Sequence, residues 1–253
     1  MEPIKTYSRD FRLRYREVNR YGFIKAVAWF DFMQEAAGDH ADALGVGRDY
    51  MRENRLFWVL VRLRLAVSGG VEPGETLRLT TWPRGFRRLF AERHFRFTDA
   101  SGRELAAASS QWMLISQDTM RPVAIERIAG RLPDNSDLPG PFELSGRLPL
   151  PETPQLALEY PVRFTQEDIN GHLNNGQYAN IVQEWAEEFS AAPREIASLE
   201  IVYHQAVRAG NLLKVHGEAE TANTFRVAGY RESGELSFAA RIAMRNSQNV
   251  KND

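Results

Sequence analysis

A chain of 253 residues has room for one large domain or two of ordinary size. Its 32 basic and 33 acidic side chains nearly cancel to a net charge of −1, which argues against a nucleic-acid-binding surface. No cysteine is present, so disulfides, cysteine-based zinc sites and a cysteine nucleophile are excluded.

The first residues, MEPIKTYSRDFRLRYREV, contain no apolar stretch of the kind a signal peptide needs. No segment approaches the roughly 18 apolar residues that span a bilayer. A cytoplasmic protein without a membrane span is the default expectation.

In chain order, a short strand is predicted at Phe11–Arg16, then a polar turn containing Gly22, then a helix near Ala26–Ala43. Alternating strands follow at Trp58–Val67, Thr76–Trp82, Phe90–Phe97 and Ala106–Ile115. Seven of the twelve prolines then crowd between 122 and 154. Proline breaks helices and fits central strands poorly, so this segment reads as a connector. Beyond it the order repeats. A strand is predicted at Tyr160–Phe164 and a helix near Asn175–Ala191. In that helix Tyr178, Ile181, Val182, Trp185 and Phe189 recur at spacings of three and four. Strands follow at Ala197–Val207, Leu212–Ala219, Phe225–Arg231 and Leu236–Met244. The turns at 99–102 and 232–235 read as hairpins.

A shift of 149 lays Arg14 on Arg163, Gly22 on Gly171, Gln34 on Gln183, Glu35 on Glu184 and Ala37 on Ala186. Duplication is the reading these identities and the shared element order favour. The expected fold class is α+β. Each half is a curved antiparallel sheet wrapped around a central helix, with the first domain at 1–120, the connector at 121–154 and the second domain at 155–247. Glu184, Glu187 and Glu188 on the second helix require solvent or partners.

The densest polar cluster is AspIleAsnGlyHisLeuAsnAsnGlyGlnTyr (168–178), between a strand and a helix. Asp168 can act as base, nucleophile or orienting carboxylate, and His172 can carry protons. Asn170 can hydrogen-bond a carbonyl or an imidazole. Asn174 or Asn175 can cap the helix, whose first N–H groups can receive an oxyanion. Strand-to-helix turns also hold Asp, Asn and Gly for backbone reasons alone. The repeat weighs against that reading: Asp168 falls on Asn19, Asn170 on Tyr21 and His172 on Phe23, so the first copy keeps the turn without a carboxylate or an imidazole.

This segment resembles the active-site stretch of the acyl-acyl-carrier-protein (acyl-ACP) thioesterases, a family of two hotdog domains in one chain. The family pattern Asp-x-Asn-x-His-x-Asn-Asn-x-x-Tyr is matched by Asp168, Asn170, His172, Asn174, Asn175 and Tyr178. MetGlnGluAlaAla (33–37) with the residues 39–47, and the strand segments 57–63, 75–82 and 110–115, are similar to the first half of the family. The resemblance covers nearly the whole chain. It implies hydrolysis of medium- or long-chain fatty acyl-ACP, with the first hotdog shaping the acyl pocket and the second supplying catalysis. Asp168, Asn170 and His172 are then the catalytic set, and Asn174, Asn175, Gly176 and Gln205 the substrate-binding set. N–H groups near Asn175 and Gly176 are expected to hold the oxyanion. No metal or organic cofactor is implied.

One departure concerns the glutamate that the family usually carries after the second helix. The pattern places Ala206 there. Gln205 is adjacent, but strand neighbours point to opposite faces, so Gln205 substitutes only if a bulge or a slipped register intervenes.

Other candidates are weaker. His40, between Asp39 and Asp42, reads as a satisfied surface cluster rather than a metal site. Arg84, Arg87, Arg88, Arg93 and Arg96 read as a solvated face, or as a dock for an acidic carrier protein. Alternatives to acyl-ACP hydrolysis are an acyl-CoA thioesterase, another hotdog enzyme such as a dehydratase, and a non-catalytic acyl-thioester binder. The His-Phe-Pro-Gly type segment of the dehydratases is absent. A monomer or a homodimer is compatible with two hotdogs in one chain.

Overall fold

The computed structural model describes residues 4–87, 89–154, 156–188 and 193–246. Two compact units emerge. One holds the described residues up to Leu13 together with Asp31–Ser145; the other holds Arg14–Phe30 and the described residues from Gly146 on.

The first unit contains strands β1 (Tyr7–Arg12), β2 (Leu56–Val67), β3 (Thr76–Arg87), β4 (Phe90–Thr98) and β5 (Glu104–Ser116). They are antiparallel neighbours in the order β1-β3-β4-β5-β2. Helix α1 (Ala26–Ala43) begins in the second unit and continues into the first, and α2 (Arg48–Glu53) follows it. The second unit contains β6 (Leu156–Pro161), α3 (Asn175–Glu188), β7 (Arg194–Tyr203), β8 (Leu212–Thr221), β9 (Thr224–Arg231) and β10 (Leu236–Asn246). Its strand order, β6-β8-β9-β10-β7, repeats that of the first unit strand for strand.

The offset of 149 carries over into the structure. It maps the bounds of β1 onto β6, the 3₁₀ turn 15–17 onto 164–166, and the first residue of α1 onto that of α3. It also maps the bridge Val18–Ile24 onto Glu167–Leu173. The first strand of each half ends earlier than predicted. At Arg14 and Arg163 the chain leaves the sheet for a 3₁₀ turn, fastened by the Arg14 N–H to Glu17 Oε2 (2.7 Å) and the Arg163 N–H to Gln166 Oε1 (2.8 Å).

Helix α3 is buried on more than one stripe, as a central helix should be: Tyr178, Ile181, Val182, Trp185 and Ala186 are all buried. Glu184 and Glu188 face solvent, and half-buried Glu187 lies in the field of Arg194 and Arg20. The predicted last turn of α3, with Phe189, lies outside the described residues. Trp185 packs edge-on against Phe225, with ring centroids 5.9 Å apart, and closes over Gly217. A Cβ at Gly217 would stand 2.5 Å from the indole. Gly217→Ala is therefore expected to cost about 2 kcal/mol through overpacking, read as a lower urea midpoint.

The hairpin predictions hold in both halves. The N–H groups of Gly102 and Gly234 close their turns onto Asp99 O (3.0 Å) and Arg231 O (2.9 Å). Both glycines take φ of 86°, a left-handed backbone that glycine adopts without penalty. Strand β3 runs past Pro83, where it was expected to stop. A register shift between Pro83 and Gly85 absorbs the missing donor, and the Pro83 carbonyl accepts from Asn135 Nδ2 at 2.6 Å instead. Part of the proline-rich segment packs on the first unit, where Ile125 and Ile128 join Leu44, Val46, Met51, Leu56 and Leu114 in one cluster. No described helix is long and apolar enough to cross a membrane.

Candidate functional site

The turn 168–172 sits between β6 and α3 and is closed by its own backbone. Asp168 N–H donates to His172 O (2.8 Å), and Gly171 N–H donates to Asp168 O (3.0 Å). The Asp168 carboxylate completes the turn, its Oδ1 accepting from the Asn170 N–H at 2.8 Å and the His172 N–H at 3.3 Å. The first copy contains the same arrangement. Asn19 Oδ1 accepts from the Tyr21 N–H at 3.0 Å and the Phe23 N–H at 3.1 Å, and Asn19 N–H donates to Phe23 O at 2.8 Å. One oxygen at this position is therefore structural in both copies. What the second copy adds is a negative charge and a second carboxylate oxygen.

Asp168 does not hold the imidazole of His172. Neither ring nitrogen of His172, nor the side-chain amide of Asn170, has a hydrogen-bond partner among the described residues. Asn170 is exposed and His172 half-buried. Both side chains are thus available to a ligand.

The helix entrance separates the two residues expected to receive an oxyanion. Asn174 caps α3, its Oδ1 taking the Gly176 N–H at 2.8 Å and its carbonyl the Gln177 N–H at 2.9 Å. Gly176 is thereby spent on the cap and is not the free donor that was expected. The Asn175 N–H has no partner among the described residues. At the equivalent place in the first copy the Ala26 N–H is occupied, at 2.8 Å, by Gln183 Oε1. Among the described residues the first N–H of the helix is therefore open in the second copy and occupied in the first. Gly176 also permits close packing, since a Cβ there would lie 3.3 Å from atoms of Val27 and Phe30.

The segment after β7 runs beside this turn. Leu173 N–H donates to Val207 O at 2.7 Å, and Glu167 Oε1 accepts the Ala209 N–H at 2.7 Å. Tyr203 OH donates to Asn175 O at 3.1 Å. The hydroxyl of buried Tyr178 meets the Val207 backbone and the Ser237 hydroxyl. Burial raises its pKa, with the nearby Asp168 charge adding to the rise. The N–H groups of His204 and Gln205 both reach Ser237 O, at 2.8 and 3.1 Å. Strand β7 ends at Tyr203, short of the Val207 that was expected, so Gln205 and Ala206 lie beyond the strand and its alternation of faces does not govern them. Tyr203, Ser237 and Glu167 escaped the sequence reading because each acts through contacts distant in sequence.

The first unit holds a cavity of about 220 Å³ between α1 and its sheet. Ala37, Gly38 and Ala41 of the helix face Trp58, Ala91 and Trp112 across it. Trp185 fills the second unit where the offset places Ala36 in the first. The indole thus occupies space in the second unit that the small side chain of Ala36 leaves in the first.

Two expectations are corrected. His40 is not on the surface: it is fully buried, stacked on Tyr7, with Nε2 2.9 Å from Ile4 O and Nδ1 accepting from Arg93 at 3.2 Å. Among the described residues no group of His, Cys, Asp and Glu is placed to hold a metal. The arginines 84–96 do not form one solvated face. Arg93 turns inward to His40 and Thr81, and Arg96 pairs with Glu104 at 3.0 Å. Arg84 remains exposed, while Arg88 and the side chain of Arg87 lie outside the described residues.

Two family profiles match the chain, the acyl-ACP thioesterase N-terminal domain over residues 4–128 and its C-terminal domain over 151–250. The chain belongs to the acyl-ACP thioesterase family. Among solved structures it resembles an acyl-ACP thioesterase from Bacteroides thetaiotaomicron VPI-5482, with a TM-score of 0.85 at 23% identity, covering 95% of this chain and 98% of that one. It also resembles the 12:0-ACP thioesterase from Umbellularia californica, with a TM-score of 0.83 at 22% identity, covering 96% and 98%. The fold is accordingly that of two tandem hotdogs. A curated relative is the chloroplastic oleoyl-acyl carrier protein thioesterase 2 of Arabidopsis thaliana, 24% identical over 247 residues, covering 88% of this chain and 65% of that protein. Another is the chloroplastic palmitoyl-acyl carrier protein thioesterase of Cuphea hookeriana, 24% identical over 215 residues, covering 79% and 51%. The chain spans about half to two thirds of the length of these curated relatives.

Proposed function

We propose that the protein hydrolyses medium- or long-chain fatty acyl-ACP to free fatty acid and ACP, in the cytoplasm. The observation that carries this reading is the asymmetry of two otherwise matching turns. The second alone combines a carboxylate, an unengaged imidazole and an open N–H at a helix start. Water, oriented by the outer oxygen of Asp168 and by Gln205, adds to the thioester carbon as His172 takes its proton, and the C–S bond then breaks. The developing oxyanion is received by the Asn175 N–H and the positive end of α3. Asn170 holds the carbonyl, Asn174 keeps the helix entrance in place, and His172 returns to the departing thiolate the proton it took from water. The acyl chain occupies the cavity beside α1.

Thiol release from acyl-ACPs and acyl-CoAs of graded chain length tests this. Turnover with preference for ACP is the expected result. Preference for CoA would recast the substrate, and binding without turnover would make the protein an acyl-thioester binder. Ala206 in place of the family glutamate is the observation that favours the binder.

Two variants follow. Ala41→Phe fills the cavity at the cost of about two CH₂ groups of substrate. It should lower kcat/KM for the longest accepted chain about 10-fold while sparing chains two carbons shorter, at ~0.8 kcal/mol per CH₂. Gln205→Ala should lower kcat about 10-fold with little change in KM, the worth of one hydrogen bond to a positioned water. An unchanged kcat would remove Gln205 from the site.

A further inference from the structure

Among the described large apolar residues, three are more than 80% exposed, and all lie on the two turns that precede the helices: Tyr15 (84%), Phe164 (81%) and Ile169 (82%). An exposed aromatic is thus a feature of both turns. The second turn adds Ile169 where the first has Arg20, and only the second carries the candidate catalytic residues.

The second turn is fastened to a neighbouring loop. Val162 N–H donates to Asn211 O and Gly210 N–H to Val162 O, both at 3.0 Å. With the Glu167–Ala209 and Leu173–Val207 bonds, these lay residues 162–173 along residues 207–211. Arg163 leaves the first stretch and Arg208 the second. Both are exposed, and neither makes an ion pair among the described residues. Most other arginines on this unit's sheet are paired: Arg226 with Glu218 and Glu220, Arg231 with Glu235, Arg241 with Glu220, Arg245 with Glu195.

Two large apolar side chains in water, beside two uncompensated guanidinium groups, form a surface that a partner must complete. Exposed apolar groups gain most from burial at an interface, and arginine is the cation best suited to desolvated carboxylate contacts. The catalytic turn lies within the same stretch of chain, so whatever docks there delivers its cargo to Asp168 and His172.

We infer that Arg163, Phe164, Ile169 and Arg208 form the docking surface for the carrier protein, a small acidic protein that presents an apolar face around its phosphopantetheine arm. The inference rests on the thioesterase reading and places the carrier on the second unit, not on the arginines of β3 and β4. Charge complementarity supplies orientation and on-rate, and the two apolar groups supply residence.

The test compares acyl-ACP with the same acyl group on free pantetheine, which has the arm but no protein. Arg163→Glu with Arg208→Glu should raise KM for acyl-ACP at least 10-fold and leave kcat unaltered. Kinetics on acyl-pantetheine should stay at wild-type values. Phe164→Ser, an independent change, should raise KM for acyl-ACP several-fold with the same indifference on pantetheine. An unaltered KM for acyl-ACP in both variants overturns the docking surface while leaving the thioesterase reading intact. Equal losses on both substrates also overturn it, since the residues would then serve the reaction centre. Failure of the wild type to release thiol from either substrate overturns the thioesterase reading itself, and this inference with it.

Discussion

Replacing Asp168 by Asn will lower kcat/KM for acyl-ACP at least ~100-fold while leaving stability within about 0.5 kcal/mol of wild type. The two halves of that expectation come from the two oxygens of the side chain. Oδ1 holds the N–H groups of Asn170 and His172, and an amide oxygen does the same work, since Asn19 already does so in the first copy. The substitution therefore preserves the turn. It removes the charge and the second basic oxygen, which is the part the first copy lacks. Ala at the same position would confuse the two effects by releasing two N–H groups as well as the charge. Activity assays beside urea unfolding separate them. A stable and fully active Asp168→Asn would reduce the carboxylate to a turn-former.

Acidification from pH 7 to 5 will remove about 4 kcal/mol of the stability that two buried histidines contribute, about 2 from each. His40 is pushed down to about 4 by burial and by the neighbouring Arg93, against the pull of the Ile4 carbonyl. His94 is pushed down to about 4 by burial and by Arg84 and Arg93. Both are at most 1% exposed. The unfolded chain takes up protons near pH 6.5, whereas the folded chain resists until about 4. The stabilisation is thus complete above the unfolded value and is lost as pH falls towards the folded one. His94 bonds Ser109 Oγ at 2.9 Å and is covered by Gly140, where a Cβ would lie 2.3 Å from the ring, so a charged imidazole has no room to recruit water. Urea unfolding at the two pH values measures the loss. His94→Phe should remove about half of it, and an undiminished loss in that variant would point to other groups.

Much of the architecture was written in local pattern. The bounds of α1, the two glycine hairpins and the duplication all follow from periodicity, turn chemistry and one constant offset. That offset fails after the helices for a physical reason. The first copy inserts α2 and has longer connections, so β2 and β7 start 138 residues apart, at Leu56 and Arg194, and no ungapped comparison could continue. Helix α2 went unseen because six residues hold too little periodicity, and its single buried side chain, Met51, joins a core assembled from distant segments. Pro83 within β3 is tolerated only through a bulge and an outside donor, Asn135, which lies in a segment read as a bare connector. At the site, residue types were legible but their division of labour was not. Gly176 is used by the helix cap and Asn175 is left open, a distinction that exists only once Asn174 and Gln183 have found their partners.

The claim that one of two matching turns carries the chemistry is tested most directly by exchanging their distinguishing residue. Thiol release from acyl-ACP would be measured for wild type, Asp168→Asn and Asn19→Asp under identical conditions. Turnover by wild type, abolished in Asp168→Asn and retained in Asn19→Asp, is the predicted result. Equal turnover by all three proteins, or tight binding of acyl-ACP by wild type with no thiol released, would contradict it.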